Sequence, residues 1–93
     1  MHATMRYYHG NPDLADQLAN RSDEVRSLLT AVDGFRSYAL VRLDDATVSI
    51  TMCDDEAGTA ETTRVAAEWL KENMPESAPS PPMVSSGTVT FSI

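Results

Sequence analysis

The feature that most constrains the fold of this chain is a pair of alternating segments near its middle, Phe35–Leu43 and Thr47–Cys53. In the second segment, the apolar side chains of Val48, Ile50 and Met52 alternate strictly with Thr, Ser and Cys. This is the period-two pattern of a β-strand with two different faces. Only Asp44-Asp45-Ala46 separates the two segments, which is short enough for a hairpin. The middle of the chain is therefore predicted to be an antiparallel β-hairpin.

A helix is predicted on each side of this hairpin. The first begins at Gly10-Asn11-Pro12-Asp13, where Asn11 can cap the helix and Pro12 suits its first position. Apolar residues then recur at helical spacing until Asp33-Gly34, where Gly34 is free to adopt the left-handed conformation. The second helix begins between Asp55 and Ala60 and is stopped by Pro75. Its inner face is predicted to be Thr62, Val65, Ala66, Trp69, Leu70 and Asn73.

Two outer strands complete the pattern, residues 3–9 and Thr88–Ile93, and a proline-rich loop over residues 75–87 precedes the second. The order β-α-β-β-α-β predicts an α+β domain of the ferredoxin-like plan over residues 1–93. It has a four-stranded antiparallel sheet with two helices on one face. What the Pro79–Pro82 part of the loop does is left open.

The alternation also divides the sheet into two predicted faces. The apolar set is expected to face the helices: Met5, Tyr7, Val48, Ile50, Met52, Val89, Phe91 and Ile93. The opposite face is rich in hydroxyls and comprises Thr4, Arg6, Tyr8, Thr47, Ser49, Thr51, Cys53, Thr88, Thr90 and Ser92. For the strand that begins at Phe35, the alternation leaves open which residues face which way.

The apolar content is low for a folded domain. Leu, Ile, Val and Phe supply 18 of the 93 residues, close to the roughly one-fifth below which chains tend to be disordered. A partner subunit would supply the missing burial, so we expect a homodimer in which two hydroxyl-rich sheet faces close on each other around a polar-lined pocket. The alternative is a sheet face that is open to water, which antiparallel sheets tolerate.

The charge balance excludes several classes of partner. Fourteen acidic residues against seven basic ones give a net charge of −7, which disfavours binding to nucleic acid or to an anionic membrane. No stretch approaches the ~20 apolar residues of a membrane span, and the N-terminus lacks the pattern of a signal peptide. The single Cys53 excludes an internal disulfide. These features predict a soluble cytoplasmic protein.

The whole chain resembles the dimeric α/β-barrel superfamily, and within it the antibiotic-biosynthesis-monooxygenase-like (ABM-like) proteins. The resemblance is carried by element order and by four segments: Tyr7-Tyr8-His9-Gly10, Asp33-Gly34-Phe35, Val48–Cys53 and Ala66-Ala67-Glu68-Trp69-Leu70. It contains no unique motif. It implies homodimers whose sheets pack face to face. Members of the family range from cofactor-independent oxygenases and haem-degrading enzymes to proteins with no known activity.

Few catalytic residues of the family carry over to this sequence. Haem-degrading members use an Asn on the first strand, and a Trp and a His on or after the second helix. Trp69 fits the Trp, but the first strand has no Asn and no His follows Trp69, so haem oxygenation is not expected. The quinone-forming oxygenases use Asn, Trp, Tyr and Arg. The residues of matching type are Tyr8 or Tyr38, Arg36, Trp69 and Asn73.

Several residues have a structural and a functional interpretation. On an inner helical face, Trp69 is more often core filling than a substrate platform. The contiguous Asp54-Asp55-Glu56 does not specify a metal site, and acidic neighbours make Cys53 a poor nucleophile. Three arginines lie on predicted strands: Arg6, Arg36 and Arg42. Each of them either pairs with a surface carboxylate such as Asp44 or faces the interior, where it needs an acidic partner or an anionic ligand.

Two functions are therefore predicted, both without a metal or cofactor. The first is a small homodimer that binds a small organic ligand between sheet and helices, with four candidate ligand-binding residues: Arg6, Tyr8, Tyr38 and Thr51. The alternative is a cofactor-independent monooxygenase acting on an aromatic or polyketide-like substrate, with candidate catalytic residues Tyr8, Arg36, Trp69 and Asn73. A ligand-sensing regulatory domain shares the element order but is usually fused to an enzyme.

Overall fold

The computed structural model describes residues 1–76 and 81–93. The elements are, in chain order, β1 (His2–His9), α1 (Asp13–Ala19), α2 (Ser22–Thr30), β2 (Phe35–Arg42), β3 (Ala46–Cys53), α3 (Glu56–Asn73) and β4 (Met83–Thr88). The strands form one antiparallel sheet in the order β2-β3-β1-β4, which confirms the predicted ferredoxin-like plan. In the described ranges, no helix is both long and apolar enough to span a membrane. The sequence leaves the role of the Pro79–Pro82 loop open, and residues 79 and 80 of it lie outside the described part.

The first predicted helix is in fact two short helices, so three helices cover the sheet. Arg21, between α1 and α2, has φ −117° and ψ 32°, which interrupts the helical path. Its guanidinium pairs with Glu24 at 2.7 Å and lies 4.8 Å from the centre of the Trp69 ring. The apolar pattern has a gap at this point, so no buried side chain holds Arg21 in a continuous helix.

The start of α1 is held by the sheet. The N-cap is Pro12, not the predicted Asn11, and Pro12 makes no side-chain capping hydrogen bond. Instead, the Thr47 hydroxyl on β3 accepts the backbone N–H of Ala15 at 2.9 Å and donates to the carbonyl of Asn11 at 2.8 Å. The strand hydroxyl is therefore the shorter of two acceptors for this N–H, which also donates to the carbonyl of Pro12 at 3.3 Å.

The last strand lies earlier in the chain than predicted. β4 pairs with β1 from Met83 opposite Tyr7 to Thr88 opposite His2, and only Val89 adds a further hydrogen bond, to the carbonyl of Met1. The predicted strand Thr88–Ile93 is therefore wrong beyond its first residues, because β1 offers no register partner for them. In the tail, Phe91 is 78% exposed.

The two sheet faces are the reverse of the prediction. In the register, Arg6 lies opposite Ser49 and Ser49 opposite Leu40, so these side chains share a face. This face lies against the helices, since Arg6 hydrogen-bonds Thr63 of α3. The hydroxyl-rich set is thus buried by the chain's own helices, and the open face carries the apolar set: Met5, Tyr7, Val48, Ile50 and Met52. The prediction failed because hydrogen bonding makes buried hydroxyls acceptable inside.

The register also shows which side chains of β2 face the helices, a point that the sequence left open. Tyr38 and Leu40 point towards the helices with Thr51 and Ser49, and Ala39 and its alternate neighbours point to the open face. A register shift between Phe35 and Ser37 marks a β-bulge at the start of this strand.

The apolar core lies between the helices and one end of the sheet. It is formed by Tyr8, Leu14, Leu18, Leu70 and Met74, with Val25, Leu40 and Trp69 packed against it. Trp69 therefore fills core space, as its position on the inner helical face predicts.

The N-terminal end of α3 lies very close to β3. The Asp55 side chain caps the helix by accepting the N–H of Gly58 at 2.9 Å. A Cβ added to Gly58 would lie 2.8 Å from the Cβ of the buried Cys53, closer than real Cβ contacts allow. Only glycine fits between helix and strand at this point.

Replacing Thr47 with Val should destabilise the chain by about 1 kcal/mol, because the Ala15 N–H would lose its shorter acceptor and keep only the Pro12 carbonyl at 3.3 Å. The Thr47→Ser variant keeps the hydroxyl and is the matched control. Urea unfolding measures both. No loss of stability in Thr47→Val, together with a loss in Thr47→Ser, would show that packing of the Thr47 methyl, and not its hydrogen bond, holds α1.

Candidate functional site

Arg6 is the centre of the buried polar cluster. It projects from β1 towards the helices and is only 2% exposed. Its Nε donates to the Ser49 hydroxyl at 3.0 Å, Nη2 to the Thr51 hydroxyl at 3.0 Å and Nη1 to the Thr63 hydroxyl at 3.1 Å. One guanidinium therefore links β1, β3 and α3.

The hydroxyl groups around Arg6 are oriented as acceptors. The Thr63 hydroxyl donates its own proton to the carbonyl of Thr59 at 3.1 Å, which leaves its lone pairs for Arg6. All three partners are neutral, and no carboxylate in the described part of the chain forms an ion pair with Arg6. The charge is thus solvated by hydroxyls but not neutralised, an arrangement that is costly inside a protein.

Tyr8 and Tyr38 lie beside this guanidinium on the same face of the sheet. Burial raises the pKa of the Tyr8 phenol above its ordinary value, and the positive charge of Arg6 offsets this only in part. Burial also raises the pKa of Tyr38, with a contribution from Tyr8, against the opposing effects of Arg6 and of a hydrogen bond with Ser49. Both phenols are therefore protonated at neutral pH and act as hydrogen-bond donors, not as bases.

Two cavities meet at Arg6 and Tyr8. The inner cavity, of about 20 Å³, has room for roughly one water and is lined by Tyr38, Ser49 and Trp69 among others. The second, of about 520 Å³, opens between α3 and the β4 side of the sheet, and we call it the edge cavity. It is lined by Arg6, Tyr8, Thr63, Ala67, Leu70, Lys71, Pro75, Pro81, Pro82 and Val84. This volume is in the range of small-molecule sites.

A wider groove of about 1020 Å³ lies on the outside, between α2 and α3. Its rim is acidic, with Asp23, Glu24, Asp33, Asp55 and Glu61. Trp69 lines both this groove and the inner cavity and so separates them. The negative charge of the chain is therefore placed on its outer surface, while the edge cavity is lined by cations and neutral groups.

The structure brings the four predicted ligand-binding residues together. Arg6, Tyr8 and Tyr38 line the inner cavity, and Thr51 lies next to them as an acceptor for Arg6. The sequence placed Arg6, Tyr8 and Thr51 on one face, left the side of Tyr38 open, and predicted that a second subunit covers this face; in the structure the helices of the chain itself cover it.

The predicted catalytic residues are not all in one place. Tyr8 and Trp69 share the inner cavity. Arg36 is ion-paired with Asp54 on the surface. Asn73 is exposed, where it accepts a hydrogen bond from Arg21 and donates one to the backbone carbonyl of Trp69.

The remaining candidates have structural explanations. Arg42 pairs with Asp16 at 3.2 Å and with Asp13 at 3.6 Å, where surface pairing with Asp44 was suggested. His9 is exposed and stacks on Tyr7, with ring centres 5.9 Å apart. Cys53 is buried, and its thiol pKa is raised by burial first and by Asp55 next, which makes it a poor nucleophile.

Sequence reasoning missed the residues that form the mouth of the edge cavity. Thr63, Ala67 and Lys71 follow each other at a spacing of four, which places them on one face of α3. The predicted inner face of this helix lay beside that stripe, so Lys71 was read only as a helix-terminal charge. The spacing of four was the available signal.

Comparison with known proteins identifies related structures. No family model and no curated protein matches the chain. Among solved structures, NE2512, a protein of unknown function from Nitrosomonas europaea, matches with TM-score 0.74 and 19% identity over 99% of this chain and 91% of that one. An antibiotic biosynthesis monooxygenase matches with TM-score 0.62 and 13% identity over 98% and 100% of the two chains.

A third structure, a dimeric ferredoxin-like protein from an uncultured marine organism, has TM-score 0.63 and 10% identity, over 99% of this chain and 95% of that one. Each likeness extends over nearly the whole of both chains, but the identities are low enough that they establish architecture alone. The chain therefore has the ferredoxin-like fold found in ABM-like structures, as the resemblance of its sequence predicts.

Proposed function

We propose that this chain is a homodimeric protein that binds a small organic molecule in the edge cavity, between the sheet and α3. The observation that carries the proposal is that Arg6, a buried cation with no carboxylate partner in the described residues, is one of the residues that line a cavity of ligand size. Tyr8 and Thr63 add hydroxyl groups to the same wall, and Leu70, Pro82 and Val84 add apolar surface.

The composition of the open sheet face supports the homodimer. Arg36 lies at the β-bulge without a register partner, and the paired residues of the described strands include no Asp, Glu, Lys or Arg on this face. It consists mainly of Ala3, Met5, Tyr7, Ala39, Val41, Val48, Ile50, Met52 and Met83. A continuous apolar face of this kind is typical of a protein–protein contact. The likeness to a dimeric ferredoxin-like protein supports the same arrangement.

The monooxygenase alternative has less support. Of its four candidate residues, Tyr8 and Trp69 share the inner cavity, but Arg36 and Asn73 are engaged on the surface by Asp54 and Arg21. The arginine nearest to a phenolic substrate beside Tyr8 would therefore be Arg6, and not Arg36. Ligand binding requires only residues that the structure already brings together.

Filling the edge cavity should weaken ligand binding. Ala67→Trp places an indole in the cavity, and we expect it to weaken the binding of 2-naphthol, measured by calorimetry, by roughly tenfold or more. Ala60→Trp, on an exposed position of the same helix, is the control and should bind like the parent. Binding that is unaffected by Ala67→Trp would contradict the proposed location.

A charge in the middle of the open sheet face should separate the subunits. Ile50→Lys buries an unpaired ammonium in the proposed interface and should weaken dimerisation by roughly a hundredfold or more. Light scattering coupled to size exclusion measures the mass, with Ala60→Lys as a control of equal charge. A parent chain that remains monomeric at micromolar concentration would refute the homodimer.

Alkaline pH should unfold the chain through its buried phenols. The folded-state pKa of Tyr8 and of Tyr38 is raised, so as the pH rises above about 10 the unfolded chain loses these protons first. Stability that is fully present below that pH is then lost as the pH rises towards the folded-state values. Urea unfolding at increasing pH should show a shallower decline in Tyr38→Phe. An equally steep decline in this variant would exclude the Tyr38 phenol as a cause.

A further inference from the structure

We infer that the molecule bound in the edge cavity is a carboxylic acid with an apolar, aromatic-sized body, and that its carboxylate is held by Arg6 while Lys71 attracts it at the mouth. This inference rests on the proposed binding function and gives the chemical class of its ligand.

The first argument comes from the hydrogen bonds of the guanidinium. An arginine has five N–H donors, and the described hydroxyls of Ser49, Thr51 and Thr63 accept three of them. One hydrogen on Nη1 and one on Nη2 remain for other acceptors. A carboxylate has two oxygens in a plane, which matches two donors on one guanidinium better than a single hydroxyl or carbonyl does.

The second argument compares Arg6 with the other arginines. Of the five other arginines, four each have at least one carboxylate partner: Arg21, Arg36, Arg42 and Arg64. The fifth, the exposed Arg26, has no ion pair within the described residues. Arg6 is the buried one, and within the described residues it has none. In a chain with 14 acidic residues, a buried cation surrounded only by hydroxyls leaves a place for a negative charge that the chain itself does not supply.

The third argument is the charge of the cavity wall. Its described lining contains Arg6 and Lys71 and no Asp or Glu. Lys71 is the only lysine of the chain and lies on the same helical stripe as Thr63. The Tyr8 phenol, protonated at neutral pH, adds a neutral donor. The rest of the wall is apolar, with Leu70, Pro82 and Val84. A ligand with an anionic head and an apolar body fits a wall that is cationic in one part and apolar in the rest.

The test compares a carboxylate with its uncharged analogue of the same shape. Calorimetric titration of the purified chain with 2-naphthoate and with 2-naphthamide should give at least about tenfold tighter binding of the carboxylate, since hydrogen bonds to charged groups are the stronger kind. The side-chain N–H signals of Arg6 should shift on binding of 2-naphthoate in nitrogen-correlated NMR spectra.

Two variants locate the preference. Lys71→Gln, at an exposed position, should weaken 2-naphthoate binding by a few-fold and reduce its dependence on salt, with little effect on 2-naphthamide. Arg26→Gln, which removes an exposed cation that does not line the edge cavity, is the control and should change neither. In Arg6→Met, if the chain stays folded by circular dichroism, the preference for the carboxylate should disappear.

The possible failures are distinct. Equal binding of 2-naphthoate and 2-naphthamide to the parent chain, with both weakened by Ala67→Trp, would overturn the carboxylate preference and leave the proposed binding function in place. The same holds if Lys71→Gln and Arg26→Gln weaken 2-naphthoate equally, because the charge effect would then be general. Binding of neither compound, together with no binding of 2-naphthol, would overturn both.

Discussion

The hydrogen bonding of one buried guanidinium determines how this chain is arranged. Arg6 needs acceptors, and the hydroxyls of β3 and α3 supply them. Because these hydroxyls must face Arg6, the Thr- and Ser-bearing side of the sheet is the side that the helices cover. The alternation of the strands then places the apolar side chains on the opposite face, which no helix of the described residues covers. The position of the edge cavity and the apolar character of the open sheet face both follow from this one polar cluster.

The order of the elements was predictable because it is encoded locally. Alternation over Thr47–Cys53, the stop at Pro75 and the left-handed Gly34, whose φ is 81°, are each signals within a few residues. Gly34 does adopt the expected conformation, although it lies in the turn after α2 and not at the end of the helix. The strand after the proline-rich loop was not predictable in this way. Met83–Thr88 has weak strand-forming residues, including Gly87, and becomes a strand only because β1 is free to pair with it.

The sequence could not show which face of the sheet the helices cover, since alternation separates two sets of residues without indicating which set is inside. The usual assumption places apolar residues inside, and it fails where a buried cation requires polar neighbours. The candidate site was nevertheless half predicted. Arg6, Tyr8 and Thr51 belong to the same set whichever way it faces, whereas Tyr38 joins them through the orientation of β2, which the sequence left open. Arg36 and Asn73 were chosen by residue type alone, and their actual partners are decided by tertiary contacts.

The contact between Gly58 and Cys53 fixes one end of α3 against the sheet, whereas the cavity opens beside the other end of the same helix. The start of the helix is thus held in place, and the width of the edge cavity near Leu70 depends on the angle between α3 and β3. A larger side chain at residue 58 would tilt the whole helix and resize the chamber two to three turns away without altering any group that lines it. The size of the edge cavity in this chain therefore depends on residue 58, which does not line it.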